Sequence, residues 1–176
     1  MNDTNLVERA FFFAAEAHGS NRQVRKYTGE PYINHPIEVM NLVKTASHYT
    51  EVMLAAALLH DTIEDTAVTR NDVEREFGHA VADMVMELTD QCNEGNRADR
   101  KAAEAKRLGK ISPEAQTVKL ADLISNSRSI IEHDPAFAKV YLREKLLILE
   151  VMTAGDSQLH ARASAQLDAA RNLIDF

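Results

Sequence analysis

The stretch Val52-Met53-Leu54-Ala55-Ala56-Ala57-Leu58-Leu59 constrains this chain more than any other part of it. It is apolar nearly all round a helical wheel and contains no glycine or proline, so it predicts a central helix buried on every side. A polar run follows at once, His60-Asp61-Thr62-Ile63-Glu64-Asp65-Thr66. An imidazole and three carboxylates at the end of a buried helix need something to neutralise them, because burying unpaired charge is costly. In helical geometry His60 and Glu64, four residues apart, share one face; Asp61 and Asp65 share the next, roughly 100° round. The plainer alternative is an acidic helix end facing water beside a core-edge histidine.

Helical periodicity dominates the rest, with no convincing run of strand alternation. A first helix is expected from an N-cap at Asp3 or Thr4 to a terminating Gly19, followed by a basic, Gly/Pro-containing loop up to Asn34. Pro36 suits the first position of a helix through Val39, Leu42 and Val43, and Thr50 suits the cap of the apolar one. Thr69 opens a short helix carrying Val73 and Phe77 that Gly78 ends; another runs from about Ala80 to Thr89. Asp90 to Asn96 is expected to be a polar, mobile connection to a basic helix from Ala98 to Leu108. Ser112-Pro113-Glu114 and Asp134-Pro135 each place a cap before an N1 proline. Those helices carry Val118, Leu120, Ala121 and Ile124, then Tyr141 and Leu149; Asp156 caps a last one with Leu159, Leu167, Ala170 and Leu173. No repeat or linker divides the chain, and 176 residues suit one domain. The expectation is all-α, a single domain over residues 1–176, a bundle of about eight to ten helices.

Cys92 is the lone cysteine, which excludes an intramolecular disulfide and fits a reducing compartment. The apolar patch Phe11-Phe12-Phe13-Ala14-Ala15 ends at Glu16 and His18, too soon for a secretory or membrane segment, so a cytoplasmic protein without a membrane partner is expected. A net charge of −7 argues against a general nucleic-acid binder. Two basic clusters could still meet a compact polyanion: Arg22, Arg25 and Lys26, then Arg97, Arg100, Lys101, Lys106, Arg107 and Lys110. The second is either a solvated helix face or a device that positions distal phosphates.

Two distant positions look like partners for His60 and Asp61. His35 lies between a turn and a proline in Pro31-Tyr32-Ile33-Asn34-His35-Pro36, and Asp122 interrupts an apolar helical stretch with Asn126 one turn on. An aspartate in that setting needs a cation, a basic partner or several donors. Together His35, His60, Asp61 and Asp122 supply two imidazoles and two carboxylates. That set suits Mn²⁺, Fe²⁺, Co²⁺ or Zn²⁺, and the absence of thiolates argues against a purely structural zinc.

His60-Asp61 with an upstream histidine and a downstream aspartate resembles the HD superfamily of metal-dependent phosphohydrolases. Arg25-Lys26 with Gly29-Glu30-Pro31-Tyr32-Ile33-Asn34-His35-Pro36, then Leu58 to Thr66, then Val118-Lys119-Leu120-Ala121-Asp122 with Asn126 and Arg128, is similar to the hydrolase domain of RelA/SpoT proteins. The likeness runs over nearly the whole chain and leaves no room for synthetase or regulatory domains, as in the stand-alone, Mesh1-like small alarmone hydrolases.

The resemblance implies Mn²⁺-dependent hydrolysis of the 3′-pyrophosphate of (p)ppGpp to GDP or GTP and pyrophosphate, which lowers the alarmone level in the stringent response. His35, His60, Asp61 and Asp122 match its metal ligands, and Glu64 and Asp65 its acidic pair at the nucleophilic water. Arg25 and Lys26 match the basic pair near base and ribose. Asn126, Arg128 and Tyr141 match positions facing the nucleotide. The chain departs from the pattern at Leu123, where a basic residue is expected, and at Ser20-Asn21-Arg22-Gln23-Val24, a looser match to the loop before the Arg-Lys pair. An HD-type phosphatase or nucleotidase acting on (p)ppApp, NADPH or another nucleotide is the nearest alternative. A non-catalytic alarmone sensor is the alternative from another class, and it gives no reason for both Glu64 and Asp65. No obligatory protein partner is evident.

Overall fold

The computed structural model describes residues 5–92 and 94–174, without the side chains of 172–174. Its helices are α1 (Leu6–Ser20), α2 (Asn34–Val43), α3 (Glu51–Leu59), α4 (Thr62–Asp65), α5 (Arg70–Phe77), α6 (His79–Leu88), α7 (Arg97–Leu108), α8 (Pro113–His133), α9 (Pro135–Val151) and α10 (Ser157–Ile174). The all-α expectation holds; among the described residues the extended pairing is one isolated bridge, Val24 to Pro31. The chain divides into two compact units, Met1–Thr89 and Asp90–Phe176. No helix among the described residues is long and apolar enough to cross a membrane.

In the first unit α3 is the hub and packs against α1, α2 and α6. Met53 through Leu59 are all buried, as an apolar circumference requires. Each buried leucine there contributes about 1.5–3 kcal/mol relative to exposure. Thr50 caps α3, its hydroxyl accepting from Met53 N at 3.2 Å. Thr69 and Asp72 form a reciprocal capping box on α5. Those hydrogen bonds from Thr69, helped by Arg75, hold the Asp72 carboxyl down at about 2. Gly78, at φ 85°, makes the left-handed step from α5 to α6.

Four local expectations change. Asp3 and Thr4 lie outside the described residues; the observed cap of α1 is Asn5, whose Oδ1 accepts from Val7 N at 2.7 Å. Helix α1 does not stop at Gly19. It runs on to Ser20, whose hydroxyl donates to Glu16 O within the helix, and the left-handed residue beyond it is Arg22, at φ 51°. Helix α2 begins at Asn34, so Pro36 falls later in the first turn. The helical register taken through His60 to Asp65 is broken: α3 ends at Leu59, and Asp61 has φ −98° and ψ −3°. The Thr62 hydroxyl donates to Leu59 O at 2.7 Å, competing for a carbonyl at the break. Asp65 N still reaches Asp61 O at 2.9 Å, so that pair keeps its one-turn relation.

In the second unit α8 packs on α9 and α10, while α7 packs on α9. Two polar residues buried on α8 hold the turn before α10. Gln116 Oε1 accepts from Ala154 N and Gly155 N at 2.9 and 3.1 Å, and the Thr117 hydroxyl accepts from Asp156 N at 2.9 Å. The approach there is close: a Cβ on Gly155 would lie 2.9 Å from Leu120 Cδ1. Asp156 caps α10 as expected, accepting from Gln158 N and Leu159 N. The Leu173 side chain lies outside the described residues.

Candidate active site

The break between α3 and α4 turns His60 and Asp61 toward the start of α2. His60 is the C-cap of α3 and 1% exposed; His35, the second residue of α2, is also 1% exposed. Their ring centroids lie 5.3 Å apart. His60 Nδ1 sits 2.8 Å from Ala57 O, so it donates there, and in the neutral ring Nε2 carries the lone pair. That nitrogen faces Asp61 Oδ2 at 3.1 Å, and His35 Nε2 faces the same oxygen at 3.7 Å. Tyr32 donates its phenol to Asp61 Oδ2 at 2.5 Å. Two imidazole nitrogens converge on one carboxylate oxygen whose orientation is held from outside, which is donor chemistry suited to a divalent ion.

Glu64 and Asp65 occupy α4 and are exposed. Asp65 Oδ2 accepts from Gln23 Nε2 at 2.8 Å, and its carbonyl accepts from Asn21 Nδ2 at 3.0 Å. Arg25 and Lys26 lie in the preceding loop, in a turn closed by Arg25 N to Glu30 O and Gly29 N to Arg25 O, with Gly29 at φ 71°. Arg25 is half-buried and Lys26 exposed, its ammonium 4.9 Å from the Tyr27 ring centroid.

In the second unit Asp122 is 7% exposed on α8. Lys119 Nζ lies 2.9 Å from its Oδ2, and Asn126 Nδ2 donates to its Oδ1 at 2.7 Å. Tyr141 on α9 is buried near this group; Ser127 Oγ donates to its hydroxyl at 3.4 Å, and burial pushes its pKa up. Arg128 is exposed. Sequence reasoning missed Lys145, whose ammonium lies 5.0 Å from the Tyr141 ring centroid. Burial, then the like charge of Lys119, lower its pKa to about 8. It also missed Tyr32, Gln23 and Asn21 as supports, although Tyr32 stands in the Pro31-to-Pro36 segment three residues before His35. The Cys92 thiol is pushed up by burial and by Glu104 and Asp90, which makes it a poor nucleophile.

The basic helix α7 spends most of its charge within its own unit. Arg97 forks onto both oxygens of Glu144 at 2.6 and 3.0 Å, Arg107 onto those of Glu104 at 2.8 and 2.7 Å, and Lys101 lies 3.5 Å from Asp90. Arg100 donates to Gly95 O. Lys106 and Lys110 are exposed. The arrangement favours a solvated, ion-paired face over a set of cations kept for phosphates.

A protein-family model described as an HD domain matches residues 10–156. The chain belongs to the HD-domain family. Among the relatives of this HD-domain chain is guanosine-3′,5′-bis(diphosphate) 3′-pyrophosphohydrolase MESH1 of Homo sapiens, 41% identical over 126 residues, covering 71% of this chain and 69% of the relative. The MESH1 protein of Danio rerio is 40% identical over 130 residues, 73% of this chain and 71% of its own length. GTP pyrophosphokinase rsh of Brucella ovis is 37% identical over 131 residues; the match takes in 71% of this chain but only 17% of that longer protein. A solved structure described as a metazoan ortholog of SpoT that hydrolyzes ppGpp superposes with a TM-score of 0.84 at 27% identity, covering 99% of this chain and 98% of the other.

Proposed function

We propose that this HD-domain chain is a guanosine-3′,5′-bis(diphosphate) 3′-pyrophosphohydrolase that removes the 3′-pyrophosphate of (p)ppGpp, giving GDP or GTP and pyrophosphate. Its role would be to lower the alarmone level in the stringent response, in the cytoplasm. The observation that carries this reading is the grouping of His35, His60 and Asp61, with tautomer and carboxylate both held, in a chain 41% identical to MESH1. The proposal treats residues 1–176 as one hydrolase domain, in keeping with a family match that runs from residue 10 to residue 156.

Mn²⁺ is the ion proposed, with His35, His60, Asp61 and Asp122 as its ligands. When bound, such an ion supplies a nucleophilic water near neutral pH and polarises a phosphoryl oxygen. The protein's own groups do the rest. The Ala57 carbonyl holds the His60 proton on Nδ1, so Nε2 is available as a donor. Tyr32 holds Asp61, while Lys119 and Asn126 hold Asp122. Glu64 accepts the proton of the attacking water, and Asp65 relays it or keeps the geometry. Arg25 and Lys26 bind base and ribose, and Asn126, Arg128 and Tyr141 face the nucleotide.

The test is incubation of purified protein with ppGpp, ppApp and NADPH, with and without Mn²⁺, and chromatography of the products. The expected result is Mn²⁺-dependent formation of GDP and pyrophosphate from ppGpp. Orthophosphate release from NADPH with ppGpp untouched would move the chain to the phosphatase reading. Tight ppGpp binding without turnover would make it a sensor.

A further inference from the structure

The segment 20–24 departs from the family pattern, yet two of its side chains end on Asp65. Gln23 Nε2 donates to Asp65 Oδ2 at 2.8 Å, and Asn21 Nδ2 donates to the Asp65 carbonyl at 3.0 Å. The loop is tied down at both ends of that reach. Arg22 N bonds Gly19 O, Gln23 N bonds His18 O, and Tyr32 N bonds Gln23 O, with Arg22 in the left-handed region at φ 51°.

The Gln23 amide is held in one orientation by a buried imidazole. His18 is 1% exposed, and its Nδ1 lies 2.7 Å from Gln23 Oε1. Since the amide nitrogen is committed to the Asp65 carboxylate, the amide oxygen must accept, so His18 donates from Nδ1. Among the described residues its Nε2 has no hydrogen-bond partner, and in the neutral ring that nitrogen is a lone pair, which costs less than an orphaned N–H. The ring cannot turn freely, because it packs 4.7 Å from the Tyr32 ring, whose phenol in turn holds Asp61. His18 therefore supports two acids, one through Gln23 and one through Tyr32.

We infer that Gln23, oriented by His18, is a positioning residue for Asp65. The inference rests on the proposed hydrolase reading, in which Asp65 is part of the acidic pair. An exposed carboxylate on a four-residue helical turn has no rigid support of its own, and it samples several rotamers unless a donor selects one. The amide selects one and contributes no charge.

Kinetics of Gln23→Ala and Gln23→Glu beside the wild-type protein, with Mn²⁺ binding and Tm measured on all three, test this. Gln23→Ala should lower kcat about tenfold with KM and Mn²⁺ affinity nearly unchanged, since only the geometry of the proton-handling group is loosened. Gln23→Glu has the same shape but turns the donor into a second carboxylate against Asp65, so its kcat should fall below that of Gln23→Ala. A packing role makes the opposite demand, with the isosteric Glu close to wild type. Wild-type kcat in Gln23→Ala, or a Gln23→Glu variant faster than Gln23→Ala, overturns the inference. Failure of the wild-type protein to turn over ppGpp would instead remove the hydrolase reading on which it stands.

Discussion

Asp61 sits at a break between two helices and Asp122 in the middle of a long one, and the groups that hold them differ accordingly. At the break the side chain is reached by residues far away in the chain: the Tyr32 phenol from 29 residues upstream and the His35 imidazole from the start of α2. In mid-helix two of the groups that hold the carboxylate are local, Lys119 one turn before and Asn126 one turn after, as helical spacing dictates. The first acid is presented to imidazoles by a neutral donor. The second is neutralised by a cation within its own helix. In the proposed metal site, the second arrangement already holds a positive charge that a bound ion would share or displace.

The largest expected effect falls on the first acid. His60→Ala or Asp61→Asn should abolish both Mn²⁺ binding, read by calorimetry, and turnover. Removal of metal from the wild-type protein with a chelator should do the same reversibly. Next comes Tyr32→Phe, which deletes one hydroxyl and leaves the ring against His18. Loss of this outer support should weaken Mn²⁺ affinity about 10- to 100-fold; an unchanged affinity would show that the break orients Asp61 unaided.

A smaller effect, of a different kind, is expected at the second acid. Lys119→Met leaves a largely buried carboxylate without its cation and should cost about 1–3 kcal/mol in metal-free protein, measured by denaturant unfolding. Saturating Mn²⁺ should recover that loss if Asp122 is a ligand, because an ion bound only to the folded state stabilises it. Unrecovered stability would separate Asp122 from the metal. The smallest effect is a pH slope from Lys145. Its folded pKa of about 8 lies below the ordinary 10.5, so between those values the unfolded chain binds more protons. Stability should therefore rise from about pH 8 toward 10.5, and Lys145→Met should flatten that rise.

Much of the fold was legible because its signals are local. The apolar circumference of α3, the caps at Thr50, Thr69, Ser112 and Asp134, and the prolines at the starts of α8 and α9 all act within one turn of where they stand. The helix break at His60-Asp61 was not legible, since every residue across it is compatible with a helix and tertiary contacts decide the outcome. The basic helix left two readings open for a related reason: the partner of Arg97 is Glu144, 47 residues away. The roles of the substrate-facing residues came through resemblance to a family, while the metal set His35, His60, Asp61 and Asp122 was readable from residue types set against apolar helices. Their supports, Tyr32, Gln23 and His18, became visible only when the folded chain brought them beside the acids.

The most direct measurement is phosphorus NMR of ppGpp mixed with the purified protein and Mn²⁺. The account predicts a growing pyrophosphate signal with GDP as co-product, absent in the Glu64→Ala variant although that variant still binds Mn²⁺. Orthophosphate as the first product, or a ppGpp spectrum unchanged by wild-type protein that binds Mn²⁺, would contradict it.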